Sequence, residues 1–177
     1  MTRRWALPVL FGVLLAGVAH HVALVQTPRV LMALASRRIS SAAGYNTLFQ
    51  APLPAAASRA IVRPSPDLAY SSCPFDLSNG PVLVDIAPVP APYWSLSVFD
   101  PRTDVVFVRN NMQAGGKPIR IALIGDSGGQ APPGYEPVLV KGSSGIALVR
   151  ALVDDRAHFP QIDTARRASS CKAMSPD

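Results

Sequence analysis

The sequence has few of the residues that metal sites and most catalytic centres use. Its 177 residues include three histidines (His20, His21 and His158) and two cysteines. Neither type forms a cluster with the spacing of a metal site. The 11 acidic residues include a single glutamate, Glu136. We therefore expect no metal and no cofactor in this protein, and the sequence identifies no catalytic residue.

Charged residues are also scarce, at 16% of the chain. Only three are lysines, whereas proline (18) and glycine (12) are plentiful. This balance argues against a helical bundle and favours strands joined by many turns. The net charge is +6, but the basic residues are dispersed and do not alternate with aromatic residues. We therefore expect no nucleic-acid partner.

One long apolar run stands near the N-terminus. The segment Trp5–Val25 contains no charged residue. At 1.5 Å per residue it is long enough to cross a hydrocarbon layer of about 30 Å. Arg3 and Arg4 precede it, as is typical of a cytoplasmic N-terminus. We predict that residues 1–26 anchor a bacterial protein in the inner (cytoplasmic) membrane as a single pass, with the C-terminal domain on the periplasmic side.

Two alternatives to this topology remain open. Gly17, Val18 and Ala19 offer the small residues at which a signal peptide is cleaved. Arg29, with two further arginines at 37 and 38, reduces the charge difference across the apolar run, so the reverse orientation is also compatible with the sequence. The lipid bilayer is the expected partner in either orientation of a retained anchor.

A short amphipathic helix is predicted for residues 27–45. Thr27 suits an N-cap and Pro28 the first helical position. Apolar residues then recur near helical spacing, and Gly44 is a typical stop. This helix either continues from the anchor, lies on the membrane surface or packs on the domain that follows.

Residues 46–177 form the predicted domain, which is mainly β. After a proline- and alanine-rich connector at 51–66, short apolar runs alternate with turn residues about every ten residues. The predicted strands are Leu68–Ser72, Val82–Ala87, Tyr93–Phe99, Asp104–Arg109, Ile119–Ile124, Pro137–Lys141 and Gly145–Val153. We predict an antiparallel sandwich or barrel that ends in a short helix within 155–170.

The two cysteines are candidates for a disulfide bond. Cys73 directly follows the first predicted strand, and Cys171 lies near the C-terminus. In an oxidising compartment a bond between them is their natural use, and two free thiols are the alternative. Cys73 has no histidine nearby in the sequence that would activate it as a nucleophile.

The stretch Gly125–Gly129 reads GDSGG, the same letters that surround the nucleophilic serine of chymotrypsin-like proteases. Such an enzyme needs a histidine, an aspartate and the serine in that order along the chain. His158 follows Ser127, and the other two histidines lie in or beside the apolar run. We therefore interpret Ser127 as part of a glycine-rich turn.

Five polar and aromatic residues would be the first to inspect in a pocket: Asp67, Tyr70, Asp76, Trp94 and Asp100. Convergent carboxylates among them would indicate a binding or catalytic site. The alternative is ordinary for each of them. Aspartates commonly organise turns, and large aromatic residues commonly pack in a core or at a sheet edge.

Three motifs in this region resemble the bacterial domain of unknown function 1254. The first is Asp67 with Tyr70 and Ser71, the second runs from Asp76 to Pro81, and the third is Tyr93–Leu96. The resemblance extends over about residues 46–155. It implies a β-rich, jelly-roll-like domain and no established reaction. This chain looks like a short, anchored form, whose companion, domain of unknown function 1214, is a separate protein.

The sequence thus favours a membrane-anchored, envelope-facing domain that acts by interaction with a companion protein. The alternative is a ligand-binding or enzymatic domain that acts on a small envelope molecule such as a carbohydrate. A deep pocket with convergent carboxylates would support the alternative, whereas an exposed apolar patch would support the interaction module.

Overall fold

The computed structural model describes residues 3–55 and 64–174, so part of the predicted connector lies outside the described residues. Within these ranges the chain forms three helices and nine strands. They are α1 (Arg3–Ala43), β1 (Phe49–Gln50), β2 (Leu68–Asp76), β3 (Val82–Ile86), β4 (Trp94–Phe99), β5 (Val105–Asn110), α2 (Asn111–Ala114), β6 (Ile119–Ile124), β7 (Glu136–Leu139), β8 (Ser144–Leu152), α3 (Phe159–Arg167) and β9 (Ser170–Ala173).

The strands form two sheets. A five-stranded sheet has the order β1-β2-β8-β4-β5, and a four-stranded sheet has the order β7-β6-β3-β9. Among the described strands every pair is antiparallel except β6 and β7, which are parallel. Parallel neighbours need a crossover, because the chain must return to the start of the first strand. Residues 125–135 make that crossover, so the prediction of antiparallel pairing throughout is wrong for β7.

The core lies between the two sheets. In β4 the side chains of Trp94, Leu96 and Val98 are buried in one apolar cluster. The same cluster contains Phe75 from β2 and Ile121 from β6, so both sheets contribute to it. Strand residues alternate between the two faces of a sheet, and burial of one face therefore sets the register of each strand.

Strand β2 is longer than predicted, because it runs on through Pro74 to Asp76. Proline lacks an N–H group and is tolerated only where the sheet needs no donor. The carbonyl of Pro74 accepts a hydrogen bond of 2.9 Å from the backbone N–H of Asn46, so this edge of β2 faces the segment after α1. Strand β8 pairs with the other edge and loses no hydrogen bond.

The C-terminal segment contains a helix and an additional strand. The short helix predicted within 155–170 is present as α3, and the strand β9 that follows it pairs with β3. The buried guanidinium of Arg166 fastens α3 to the five-stranded sheet. It donates hydrogen bonds to the carbonyls of Tyr70 (2.8 Å) and Ala51 (3.2 Å) and forms an ion pair with Asp163.

Asp163 also pairs with the exposed Arg167. Burial raises the pKa of Asp163, but the hydrogen bonds and positive charges of Arg166 and Arg167 lower it by more. The net pKa lies below the usual value for an aspartate, so this carboxylate is ionised at neutral pH. The buried guanidinium is thereby matched by a negative charge, which a buried cation requires.

Helix α1 has two distinct halves. It runs unbroken through Thr27 and Pro28 over a length of about 60 Å, so no new helix begins at Thr27. Every described residue from Arg4 to Thr27 is exposed. From Pro28 onward a stripe of partly or fully buried residues appears at helical spacing. The first half is long and apolar enough to cross a membrane, and a signal sequence has the same properties.

The second half of α1 packs on the domain through only some of its apolar residues. Met32 and Ser36 are buried, whereas Val30, Leu31 and Leu34 are more than half exposed. This segment thus both continues from the apolar run and packs on the domain, which are two of its three expected placements. The apolar residues on its other side remain uncovered by the described part of the chain.

A disulfide bond joins the two sheets. The Sγ atoms of Cys73 in β2 and Cys171 in β9 are 2.04 Å apart, and both residues are buried. The structure therefore supports the disulfide expected from the sequence. The bond links positions 98 residues apart, so it closes most of the domain into one loop.

Loss of this disulfide should destabilise the domain substantially. For a loop of this length the chain-entropy model gives about 4.7 kcal/mol of stabilisation. We expect the Cys73→Ala, Cys171→Ala double variant to lose about that much free energy of unfolding, measured by urea denaturation of the full-length protein in detergent. Reducing agent should lower the stability of the wild type similarly and leave the variant unchanged. Two alkylatable thiols in the native protein would contradict the prediction.

Candidate functional site

The GDSGG stretch begins the crossover between β6 and β7. The Ser127 hydroxyl donates a hydrogen bond of 3.2 Å to the carbonyl of Leu77. The Asp126 carboxylate accepts one of 3.0 Å from the backbone N–H of Gly142. Both contacts tie the start of the crossover to neighbouring turns, as expected for turn residues.

Two of the glycines in this stretch are required by space and backbone geometry. A Cβ atom on Gly125 would lie 2.8 Å from the carbonyl oxygen of Gly142. Gly129 has a φ of 131°, and a Cβ atom there would lie 2.6 Å from Cγ of Pro81. A side chain is therefore excluded at the first position by contact and at the second by both contact and conformation.

Ser127 has no histidine base beside it. Its loop contacts Gly142, just before β8 begins, whereas His158 follows the other end of β8. The nine residues of that strand span about 25 Å. His158 instead lies 3.7 Å from the carboxylate of Asp154. The structure thus agrees with the interpretation of Ser127 as a turn residue.

The far end of the crossover is held by Tyr135. Its hydroxyl donates a 2.6 Å hydrogen bond to the carboxylate of Asp85, which also lies 3.3 Å from Nε of Arg120. The hydrogen bond to Asp85 is the main cause of a raised pKa at Tyr135, with burial and the charge of Asp85 adding to it. Tyr135 therefore stays protonated and keeps its role as a donor.

The two aromatic residues of the predicted pocket have structural roles. Trp94 is only 2% exposed and belongs to the core between the sheets. Tyr70 lies on the outer face of β2, and its hydroxyl accepts a 3.1 Å hydrogen bond from the backbone N–H of Ser65. Neither side chain lines either of the two cavities described below.

The three aspartates do not converge either. Asp67 is exposed just before β2, and Asp76 ends the same strand. The Asp76 carboxylate accepts hydrogen bonds from the backbone N–H (2.9 Å) and the hydroxyl (2.6 Å) of Ser78. Asp100 is buried and accepts bonds from the N–H groups of Arg102 (2.8 Å) and Asp104 (3.0 Å). Within residues 3–55 and 64–174 no group of three metal-ligating side chains occurs.

The turn that Asp100 organises approaches α1. Thr103 in this turn has a φ of 71°, an unusual value for a β-branched residue, and its N–H donates to the carbonyl of Asp100 at 3.0 Å. Thr103 lines a cavity beside His20, Leu24 and neighbouring residues of α1. The turn between β4 and β5 thus reaches the helix near the end of its apolar run.

Two cavities lie at this junction between α1 and the domain. The first, of about 390 Å³, is mainly apolar and is lined by Ala23, Leu24, Leu31 and their neighbours, together with Thr103. The second, of about 250 Å³, lies further along α1 and has polar groups from Arg29, Ser36, Arg37, Tyr45 and Ser144. We call them the apolar and the polar junction cavity. Neither cavity was predicted from the sequence. The only feature that could have indicated them is a serine with several arginines in the predicted amphipathic helix.

A further exposed surface lies where the two sheet edges meet. The edge strands β5 and β7 are joined by an ion pair of 2.8 Å between Arg109 and Glu136. Large apolar side chains on and beside these strands are 56–82% exposed: Val105, Val108, Met112 and Leu139. We call these four residues the edge patch. Exposed apolar residues on sheet edges are typical of places where another chain binds.

The two roles assigned within the GDSGG stretch predict different effects of alanine. Ser127→Ala should lower the free energy of unfolding by less than about 1 kcal/mol, because it removes one partly buried hydrogen bond. Gly129→Ala should cost about 2 kcal/mol, since it forces a side chain into a left-handed conformation against Pro81. Urea denaturation of the two variants measures both effects. Labelling of Ser127 by a fluorophosphonate would contradict its assignment as a turn residue.

A solved structure shares this fold. The crystal structure of the VPA0106 protein from Vibrio parahaemolyticus matches with a TM-score of 0.62 at 13% identity, over 87% of this chain and 38% of that one. An uncharacterised protein from Burkholderia cenocepacia matches with a TM-score of 0.48 at 14% identity, over 90% of this chain and 44% of that one. The chain thus spans less than half the length of either structural neighbour. No curated protein matches it by sequence.

The sequence itself matches a family of proteins of unknown function, DUF1254, over residues 45–173. This range takes in all the strands of the two sheets, from β1 to β9, and leaves out the whole of α1. It also contains the three motifs on which the resemblance was based. The chain therefore belongs to the DUF1254 family of proteins of unknown function.

Proposed function

We propose that this protein is a single-pass membrane protein of the bacterial cell envelope. Its β-domain lies on the periplasmic side of the inner membrane and works by binding a companion protein. The observation that carries the proposal is the first half of α1, a helix of apolar residues that the described chain leaves exposed on every side. Exposing such a surface to water is unfavourable, and a bilayer removes that cost.

The disulfide supports an extracytoplasmic domain. Disulfide bonds persist in oxidising compartments and are rare in the bacterial cytoplasm. The bond between Cys73 and Cys171 lies in the core of the domain. Arg3 and Arg4 before the apolar run favour the same orientation. We therefore place the two-sheet domain, a β-sandwich of the jelly-roll type, on the periplasmic side.

The edge patch is the proposed contact with the companion. The edge strand β5 begins with four apolar residues, Val105–Val108, and has no proline or lysine of the kind that protects free strand edges. We assign the edge patch to a separate protein that carries domain of unknown function 1214.

The enzymatic alternative receives less support from the site geometry. It requires a pocket in which carboxylates converge with Tyr70 or Trp94. Asp67 and Asp76 lie at opposite ends of β2, and Trp94 belongs to the core. An exposed apolar patch, which favours the interaction module, is present instead.

A topology experiment tests the proposed membrane placement. Alkaline phosphatase fused after residue 44, or at the C-terminus, should be active in cells, whereas green fluorescent protein at the same sites should be dark. The full-length protein should stay in the membrane pellet after alkaline carbonate extraction. Fluorescence from both fusion sites would overturn the placement, and release by carbonate would favour a cleaved signal peptide.

Site-specific crosslinking tests the partner. A photoreactive residue at Val108 or Leu139 in the full-length protein should crosslink to a protein that contains domain 1214 in native membranes. The control position is Lys172 on β9, which is exposed at the opposite edge of the four-stranded sheet. We expect a crosslink at the edge patch and none at the control. Equal capture at all three positions, or no capture of such a protein, would contradict the proposed interface.

A further inference from the structure

The polar junction cavity has the chemistry of an anion-binding site. Two arginines and three hydroxyl groups line it, and none of its lining residues is acidic. Guanidinium groups bind phosphate oxygens through paired, charge-assisted hydrogen bonds, and hydroxyl groups add further donors. The lining therefore suits a phosphate group better than a neutral or a cationic ligand.

Ser36 provides independent evidence of a ligand. The residue is 4% exposed and lines the polar junction cavity, yet its hydroxyl has no hydrogen-bond partner among the described residues. Its neighbours behave differently, since Ser40 and Ser41 donate to the backbone carbonyls of Arg37 (3.1 Å) and Arg38 (2.7 Å). A buried hydroxyl without a partner costs stability, so a residue of this kind facing a cavity indicates a missing acceptor.

The arginines of the cavity retain donors for such an acceptor. Nη1 of Arg29 donates a 2.9 Å hydrogen bond to the carbonyl of Val25. A guanidinium has five N–H donors, so this bond leaves most of them available to a ligand. Arg37 is exposed, and its side chain lines the same cavity.

The apolar junction cavity indicates that the rest of the ligand is apolar. It lies on the membrane side of the polar cavity, because α1 lines it from His20 to Leu31. The turn between β4 and β5 borders both cavities, with Thr103 in one and Pro101 in the other. An apolar cavity at the end of a membrane helix, followed by a cationic one, matches the acyl chain and phosphate of a lipid.

We propose that the junction between α1 and the β-domain binds an anionic phospholipid, with its phosphate in the polar cavity beside Ser36 and one acyl chain along the apolar cavity. This inference rests on the proposed membrane placement of α1. It gives the second half of α1 a function besides holding the domain: it places two arginines and a buried hydroxyl at the membrane-facing end of the fold.

Native mass spectrometry of the full-length protein tests this proposal. Phosphatidylglycerol and phosphatidylcholine are offered in equal amounts to the protein in detergent, and the lipid-bound fraction is measured. We expect a clear preference for phosphatidylglycerol. Ser36→Ala and Arg37→Gln should each weaken its binding about tenfold, because each removes a hydrogen bond to a charged group.

Two matched variants serve as controls. Ser41→Ala changes an exposed serine on the same helix that does not line the cavity, and Arg156→Gln removes an exposed arginine beyond the far end of β8. Neither should alter lipid binding. Ser36→Ala should also leave thermal stability unchanged or raised, since it removes a buried hydroxyl without a partner. A purely structural serine would instead lower it.

Soluble phosphates separate the lipid from its headgroup. Glycerol 3-phosphate and inorganic phosphate should displace the lipid only at far higher concentrations, because they lack the acyl chain. Leu31→Gln, in the apolar cavity, should weaken lipid binding and leave glycerol 3-phosphate binding unchanged. If inorganic phosphate binds as tightly as the lipid, or if Arg156→Gln weakens binding as much as Arg37→Gln, the proposal is wrong.

A failure of the proposed lipid site can be distinguished from a failure of the proposed membrane placement. Carbonate extraction and the topology fusions report insertion of α1 and do not depend on the cavities. If the helix inserts and the two lipids bind equally, only the lipid site is refuted. If the helix does not insert, the membrane placement fails, and with it the proposed source of the ligand.

Discussion

The rest of this structure depends on burial of one apolar core between two sheets. Each strand must turn one face toward the core, and on β4 this places Leu96 and Val98 in the core between the sheets. Ser95 and Ser97 lie on the opposite face of β4 and are also buried. The same requirement brings the connections between strands to the two ends of the sheets. One end collects the turns around Leu77, Asp100 and Gly142, and α1 packs there. The surface on which α1 packs is thus a consequence of how the core is closed.

Helix α1 belongs to two environments, and its sequence changes where they meet. Up to Thr27 no described residue is buried, and from Pro28 a regular stripe contacts the domain. A proline inside a helix removes one backbone hydrogen bond, and nearby donors can compensate. Nη1 of Arg29 donates to the carbonyl of Val25 at this point. The transition from the exposed half to the packed half of the helix therefore coincides with a local change in the hydrogen bonds of the helix backbone.

Local patterns located most of the secondary structure. Strand β6 has the bounds that its apolar run predicted, and the other six predicted strands occur with shifted ends. The short strands β1 and β9 and the one-turn helix α2 were missed, since two to four residues carry too little pattern. The parallel pairing of β7 was also missed, because pairing direction depends on where a connection goes. The five candidate pocket residues were chosen for their chemical type. The sequence does not predict how far apart two of them, such as Asp67 and Asp76, lie in space.

By itself the sequence determined the class of the chain: an apolar helix, a turn-rich β-domain, a cysteine pair and a family resemblance. These properties are local or compositional, so they can be read along the chain. Only the tertiary structure decided which side chains meet. It used GDSGG to begin a crossover and buried the guanidinium of Arg166 against the carbonyl of Tyr70. It also left the buried hydroxyl of Ser36 without a partner beside a cavity that two arginines line. Such arrangements depend on contacts between residues that are far apart in the sequence. Packing of the core determines these contacts, and they cannot be predicted from a local sequence pattern.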